Sequence, residues 1–462
     1  MSAETASAVI AERAQELHDS VRAERRHAQA NRTFRADLLA KAINVVVRLL
    51  SIPLSIQLLG AEQYGLWLTV SSVLMWLNVS QLGFGGGLLN EIGKASAHDD
   101  RALMRRHIAT AYLVFGILAL LVFAAIVGIS QTPLAPTLLG VSKAPDLVNE
   151  ATALFLVAGA LFAASLLTNA IGPVCLGLQE GYLSYAAFSV GSALSLVALV
   201  AVYLLRGSIL DFAIAMSAPP LLAKLGLAVY VFGRRHRSLR PTFADVHAAS
   251  VRPLLSTGGA VMLLLLGDLT ILNSTNPLIA GRLGLAQVSE YAVPFSVFMI
   301  FASICQGMAS AYQAAFSEAS ARDDWRWIRS TLLGTCKKGL IVMLAVAAGL
   351  AVAGPFAISV WTHGKVTSGR TLLIALGVYF ILKVLSMQNC ILFIALDRTA
   401  PKAALQIFVA AAHIIGFFAL VSRFGLLAFP LAGGVAYLID GVASFYILER
   451  HMQTRAVAAG TR

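Results

Sequence analysis

Apolar runs long enough to cross a bilayer recur along this chain, each near or above the roughly 20 residues that a spanning helix needs. By that length rule twelve segments span, approximately 35–59, 64–89, 108–130, 151–176, 182–205, 209–233, 254–280, 290–316, 333–354, 371–396, 402–422 and 425–448. They are expected to be helices, because short alternating strands punctuated by turns do not recur. Composition agrees with this. Of 462 residues 58% are hydrophobic and only 13% charged, about half the charged share of a soluble chain. The expectation is an all-α polytopic membrane protein.

A net charge of +12 invites a nucleic-acid reading, but the cations gather in alternate connections between spans, as orienting cytoplasmic loops do. With the N-terminus inside, the cytoplasmic side holds the arginines of residues 13–35, then Lys94, Arg101, Arg105 and Arg106. It also holds Arg234, Arg235, Arg237, Arg240, Arg252, Arg322, Arg326, Arg329, Arg398, Lys402, Arg450, Arg455 and Arg462. The outer side keeps Lys143, Arg206, Arg282, Lys365, Arg370 and Arg423. Both termini are therefore expected in the cytoplasm, with no nucleic-acid partner. Residues 1–34 are charged and lack an apolar core, so no signal peptide is expected there. Cys175, Cys305, Cys336 and Cys390 lie singly, without metal-ligand spacing.

The chain also resembles itself. Gly60-Ala-Glu-Gln follows the first span and Gly284-Leu-Ala-Gln the seventh, 224 residues later. Leu176 to Tyr182 and Ala395 to Pro401 join corresponding spans at an offset of 219. An offset of six helices preserves orientation, so two parallel six-helix lobes around a central cavity are expected. The divisions are a polar extension (1–34), an N-lobe (35–233), a basic linker (234–253), a C-lobe (254–448) and a tail (449–462).

Residues 35–59 carry the most informative charge. Lys41 and Arg48 are seven apart, on one helix face, and Asp37, Asn44, Ser51 and Ser55 continue the stripe. A cation at mid-membrane costs about 2.5–3.5 kcal/mol on insertion scales, so the stripe should face a wet, positive cavity. Lys41 either shares that cavity or snorkels to the headgroups. Further intramembrane charges are Lys224, Asp268, Lys383 and Asp440. Lys41, Arg48, Lys224 and Lys383 are the candidate binding residues for an anionic group. Asp268 either pairs with Arg48 or carries a coupling proton, and Asp440 is grouped with it. Asn273-Ser-Thr-Asn276-Pro277 is expected to break the seventh helix. Gly83-Phe-Gly-Gly-Gly87 is expected to allow close packing or to end a helix. No catalytic or nucleotide-binding constellation is present in the sequence, and neither cofactor nor metal is expected.

Residues 60–94, with LG-x-x-x-YG-x-W and then Leu82-Gly-Phe-Gly-Gly-Gly87 before a basic loop, resemble the polysaccharide exporters. These are the O-antigen and exopolysaccharide flippases of the multidrug/oligosaccharidyl-lipid/polysaccharide (MOP) exporter superfamily. GLQEGYLSY at 177–185 adds to the resemblance, which extends over all twelve spans by number and doubling. It implies a non-enzymatic flippase of undecaprenyl-diphosphate-linked oligosaccharide in the bacterial inner membrane. It further implies a monomer among membrane lipids that works beside a polysaccharide polymerase. Two alternatives stay open. One is a proton- or sodium-coupled multidrug exporter of the same superfamily. The other is a membrane glycosyltransferase or polymerase, against which the short connections argue.

Overall fold

The computed structural model describes residues 3–77, 82–142, 144–256, 259–396 and 398–460. Lys143 and Arg462, both used in the charge reading, lie outside them. Among the described residues there is no strand. The N-terminal half comprises α1 (Ala3–Leu77), α2 (Leu82–Ala97), α3 (Arg101–Ser130), α4 (Leu134–Leu138), α5 (Pro145–Thr168), α6 (Ile171–Gly177), α7 (Gly181–Leu204) and α8 (Ile209–Tyr230). The C-terminal half comprises α9 (Val251–Ser256), α10 (Gly259–Leu283), α11 (Leu285–Ser310), α12 (Gln313–Ala321), α13 (Trp325–Trp361), α14 (Arg370–Ala395), α15 (Thr399–Phe424) and α16 (Ala428–Gly460). Short 3₁₀ turns between α8 and α9 make the connection between halves.

Nine helical runs among the described residues are long and apolar enough to cross a membrane. Thr399–Thr454 holds two of the expected spans, and Arg35–Leu77 holds the first and the opening part of the second, 64–77. Arg35–Leu77 turns at Gly60, and Thr399–Thr454 turns through the 3₁₀ residues Gly425–Leu427. The expected seventh span is α10, which is continuous through Asn273–Pro277, so the break expected there does not occur. Ser274 and Thr275 donate their hydroxyls to the carbonyls of Thr270 and Ile271 one turn back. Such back-bonding keeps polar side chains satisfied inside a helix with no rupture of its ladder. Gly87 does pack closely, since a Cβ there would overlap the backbone of Leu254.

The doubling is written into the backbone. Gly60 and Gly284 both take positive φ, 76° and 106°, each just before a helix that carries a stretch of the repeat. Asp99 and Asp323 (51° and 56°), and Gly140 and Gly364 (71° and 76°), repeat at the same offset of 224. Arg206 and Gly425 (52° and 53°) repeat at 219, the second offset in the sequence. Asp100 and Asp324 cap the matching helices α3 and α13, each accepting a hydrogen bond from the backbone three residues on. Left-handed backbone is costly outside glycine, so turns of this kind mark the frame.

Candidate functional site

Each lobe reaches into the other with a polar side chain from its first helix. Arg48 of α1 donates from Nη2 to Oγ of Ser296 on α11, 3.1 Å away. Asn276 of α10 donates from Nδ2 to Oγ of Ser72 on α1, at 2.9 Å. Ser72 and Ser296 are 224 residues apart, so they occupy the same place in the two repeats. Arg48 is exposed and makes no ion pair among the described residues. A guanidinium midway along an apolar helix, accessible yet touching the opposite lobe, lines a space between lobes.

Toward the end that carries Lys365 the lobes are latched. Gln57 is the hub. Its Nε2 meets Nδ1 of His363 at 2.7 Å, its Oε1 accepts from Tyr203 at 2.9 Å, and its carbonyl accepts from Lys365 Nζ at 2.7 Å. Trp361 donates from Nε1 to the carbonyl of Leu49, and Gly65 abuts the carbonyl of Leu285 so closely that a Cβ would overlap it.

The C-terminal half holds two lysine–aspartate pairs. Lys383 on α14 is 1% exposed and points Nζ at Oδ1 of Asp268 on α10 (3.2 Å) and at Oη of Tyr437 on α16 (2.8 Å). It also lies 4.9 Å from the centroid of the Tyr437 ring. Gln406 donates to the same Asp268 oxygen at 2.9 Å. Asp268 itself is 35% exposed. Deeper in the half, Lys402 and Asp440 are both fully buried, 2.6 Å apart, with Ser386 and Ser444 donating to the carboxylate. A buried pair gives little net stability, but losing one member strands the other charge in a dry site, at about 3–5 kcal/mol.

The six candidate residues are therefore not gathered in one place. Arg48 faces the other lobe. Lys41 pairs with Asp37 one turn back on its own helix, at 2.7 Å, and its side chain is exposed. Lys224 donates to Asn169 at 2.7 Å, within the N-terminal half. The pairing of Arg48 with Asp268 does not form; Asp268 holds Lys383, and Arg48 holds a neutral serine. Lys402, read as a loop cation, is buried because α15 starts three residues earlier and turns it toward α16. Sequence reasoning missed Lys402, Tyr437 and Ser296. The one available signal was Asp440, an acid in an apolar helix that needs a cation somewhere.

No family model matches the chain. A curated relative from Salmonella typhi, described as "Putative O-antigen transporter", is 23% identical over 294 residues. That is 62% of this chain and 65% of the relative, so the match spans just under two thirds of that protein's length. Among solved structures, a multidrug resistance MATE family transporter of the MOP superfamily in its inward-facing conformation gives a TM-score of 0.77 at 16% identity. That match covers 92% of this chain and 98% of the other. An outward-facing MATE family transporter gives 0.66 at 16% identity, covering 92% and 96%. A MOP superfamily transporter from Pyrococcus furiosus, described as having reverse polarity of its binding pocket, gives 0.66 at 17%, again covering 92% and 96%. The resemblance drawn from residues 60–94 and 177–185 stands. The chain is a multi-pass, all-helical membrane protein with the two-lobed fold of the MOP superfamily transporters.

Proposed function

We propose that this chain flips an undecaprenyl-diphosphate-linked oligosaccharide across the bacterial inner membrane, for O-antigen or exopolysaccharide synthesis, by alternating access of its lobes. The observation that carries this reading is Arg48. It is a cation at mid-helix whose only described side-chain partner is a neutral hydroxyl on the opposite lobe. A guanidinium can grip a diphosphate with two parallel hydrogen bonds, which a lysine ammonium cannot do. Arg48 is the first contact in this scheme, and Lys383 acts from behind by neutralising Asp268. Both termini then lie in the cytoplasm, and the Lys365 end faces outward. The latch around Gln57 closes the outer end, in keeping with the higher likeness to an inward-facing relative than to an outward-facing one.

A multidrug exporter for organic cations needs a free acid in its cavity. The three acids that favour that alternative, Asp37, Asp268 and Asp440, are each bound to a lysine. This supports an anionic cargo.

The test is surface polysaccharide in a strain lacking the native gene, with membrane levels of each variant checked by blot. Arg48→Ala abolishes export at normal protein level, and Arg48→Lys restores part of it. Full export by a well-expressed Arg48→Ala variant would overturn the reading, and a gain in resistance to cationic drugs from the wild-type protein would favour the exporter alternative.

A further inference from the structure

A second feature, on the accessible surface of the N-terminal half, stands apart from Arg48 and Asp268. Between α3 and α5 runs an apolar groove of about 770 Å³, inside the size range of small-molecule sites. Small residues keep it open. Ala109 and Gly116 stand seven residues apart on its α3 wall with the larger Leu113 between them, and Ala160 and Ala164 form its α5 wall. One end is roofed by the connection between halves, through Pro241, Phe243 and Val246. That roof is pinned to α3, because Arg105 pairs with Asp245 at 2.8 Å and Thr110 exchanges hydrogen bonds with the backbone of His247. Phe243 is 90% exposed, a bare aromatic ring at the mouth.

Charge says what fits. Arg106 precedes Ala109 by about one turn on the same stripe of α3, and Arg240 adjoins Pro241. Both are exposed, and neither makes an ion pair among the described residues. Basic side chains at the membrane surface attract anionic headgroups.

We infer that this groove binds an anionic membrane phospholipid, its acyl chains lying between α3 and α5 and its headgroup phosphate on Arg106 and Arg240. The bound lipid would brace the connection between the lobes against the N-terminal half. The inference is independent of what the central cavity carries.

The experiment follows thermal unfolding of the purified full-length protein in detergent while lipid is added. Dioleoyl phosphatidylglycerol raises the melting temperature saturably, at concentrations where dioleoyl phosphatidylcholine has no effect. Arg106→Gln with Arg240→Gln shifts half-saturation upward at least fivefold. Filling the groove with Ala164→Phe removes saturation, whereas Leu194→Phe, on the lipid-facing surface of α7, does not. If Ala164→Phe fails to fold, Gly116→Leu serves instead, since a Cβ there meets only the tip of Leu167, at 3.7 Å. Equal stabilisation by the two lipids, or an unchanged half-saturation in the arginine double variant, overturns the proposal. Displacement of phosphatidylglycerol by undecaprenyl phosphate at lower concentration also overturns it, and would give the groove to an isoprenoid.

Discussion

At the residue scale, burial separates the two lysine–aspartate pairs. Lys402 and Asp440 have no access to solvent, so the pair acts as a unit. Lys402→Met alone should cost about 3–5 kcal/mol by stranding Asp440. Adding Asp440→Leu should recover most of that loss, and a double-mutant cycle on thermal unfolding of the purified variants measures the coupling. Additive losses would mean that the pair is not coupled. Asp268 is 35% exposed, so Lys383→Met should be milder in stability yet leave an uncompensated, accessible acid. Polysaccharide export by Lys383→Met should then fall further than its melting temperature predicts. The charges of this site were legible one by one, since an ion in an apolar run announces itself. Their pairing was not. Arg48 and Asp268 fall at similar depth by residue count, but which side chain each meets depends on how α10, α14 and α16 are rotated about their own axes. Helix count and depth leave that rotation open.

At the element scale, connections between helices carry the frame. Glu180 precedes α7 and accepts from Arg235 at 2.8 Å, and its other oxygen meets Nε2 of His236 at 3.1 Å. The hydrogen bond to His236, with Arg235 beside it, holds the Glu180 carboxyl at about 2, below the ordinary glutamate value of about 4.3. A depressed folded value means that the bridge stabilises most above the unfolded value and fades as pH falls toward 2. The melting-temperature gap between wild type and Glu180→Gln should therefore be largest above pH 5 and shrink on acidification; a gap that widens with acid would refute this. Gly65 packs against the backbone of Leu285 at the interface between lobes, so Gly65→Ala must push the lobes apart there. Crosslinking between cysteines placed at Gln57 and His363 should drop well below its level in a protein that keeps Gly65. The repeated Gly60 and Gly284 were legible in the sequence because each opens a matching segment at the offset of 224, and the positive φ found at both is a conformation that glycine adopts without strain. The matching turns at Asp99 and Asp323 were not, because aspartate tolerates many other conformations.

At the scale of the whole molecule, the number of spans and their doubling followed from hydropathy and an internal offset, and the fold agrees with both. Opening and closing is what remains to be exercised. Gln57→Cys with His363→Cys, in a background with the native cysteines replaced by alanine, places thiols on either side of the latch. A short bismaleimide should join them within the chain and stop export, while each single cysteine variant treated alike keeps transporting. Transport by the crosslinked protein would mean that the latch never opens during the cycle. Arg48 has a consequence of an electrical kind. The paired lysines and aspartates sum to zero, so an electric field across the membrane exerts no net force on them, whereas Arg48, like Lys224, makes no ion pair among the described residues, and Arg48 is the one of the two that reaches the opposite lobe. Moving one such charge through 100 mV involves about 2.3 kcal/mol, scaled by the fraction of the field it crosses. Under the proposed alternating access, a negative cell interior would draw the empty protein toward the state in which Arg48 faces the cytoplasm. On the proposed cargo, a diphosphate covering that charge would reverse the sign of the force, and the voltage that resets the empty carrier would also push the loaded one outward.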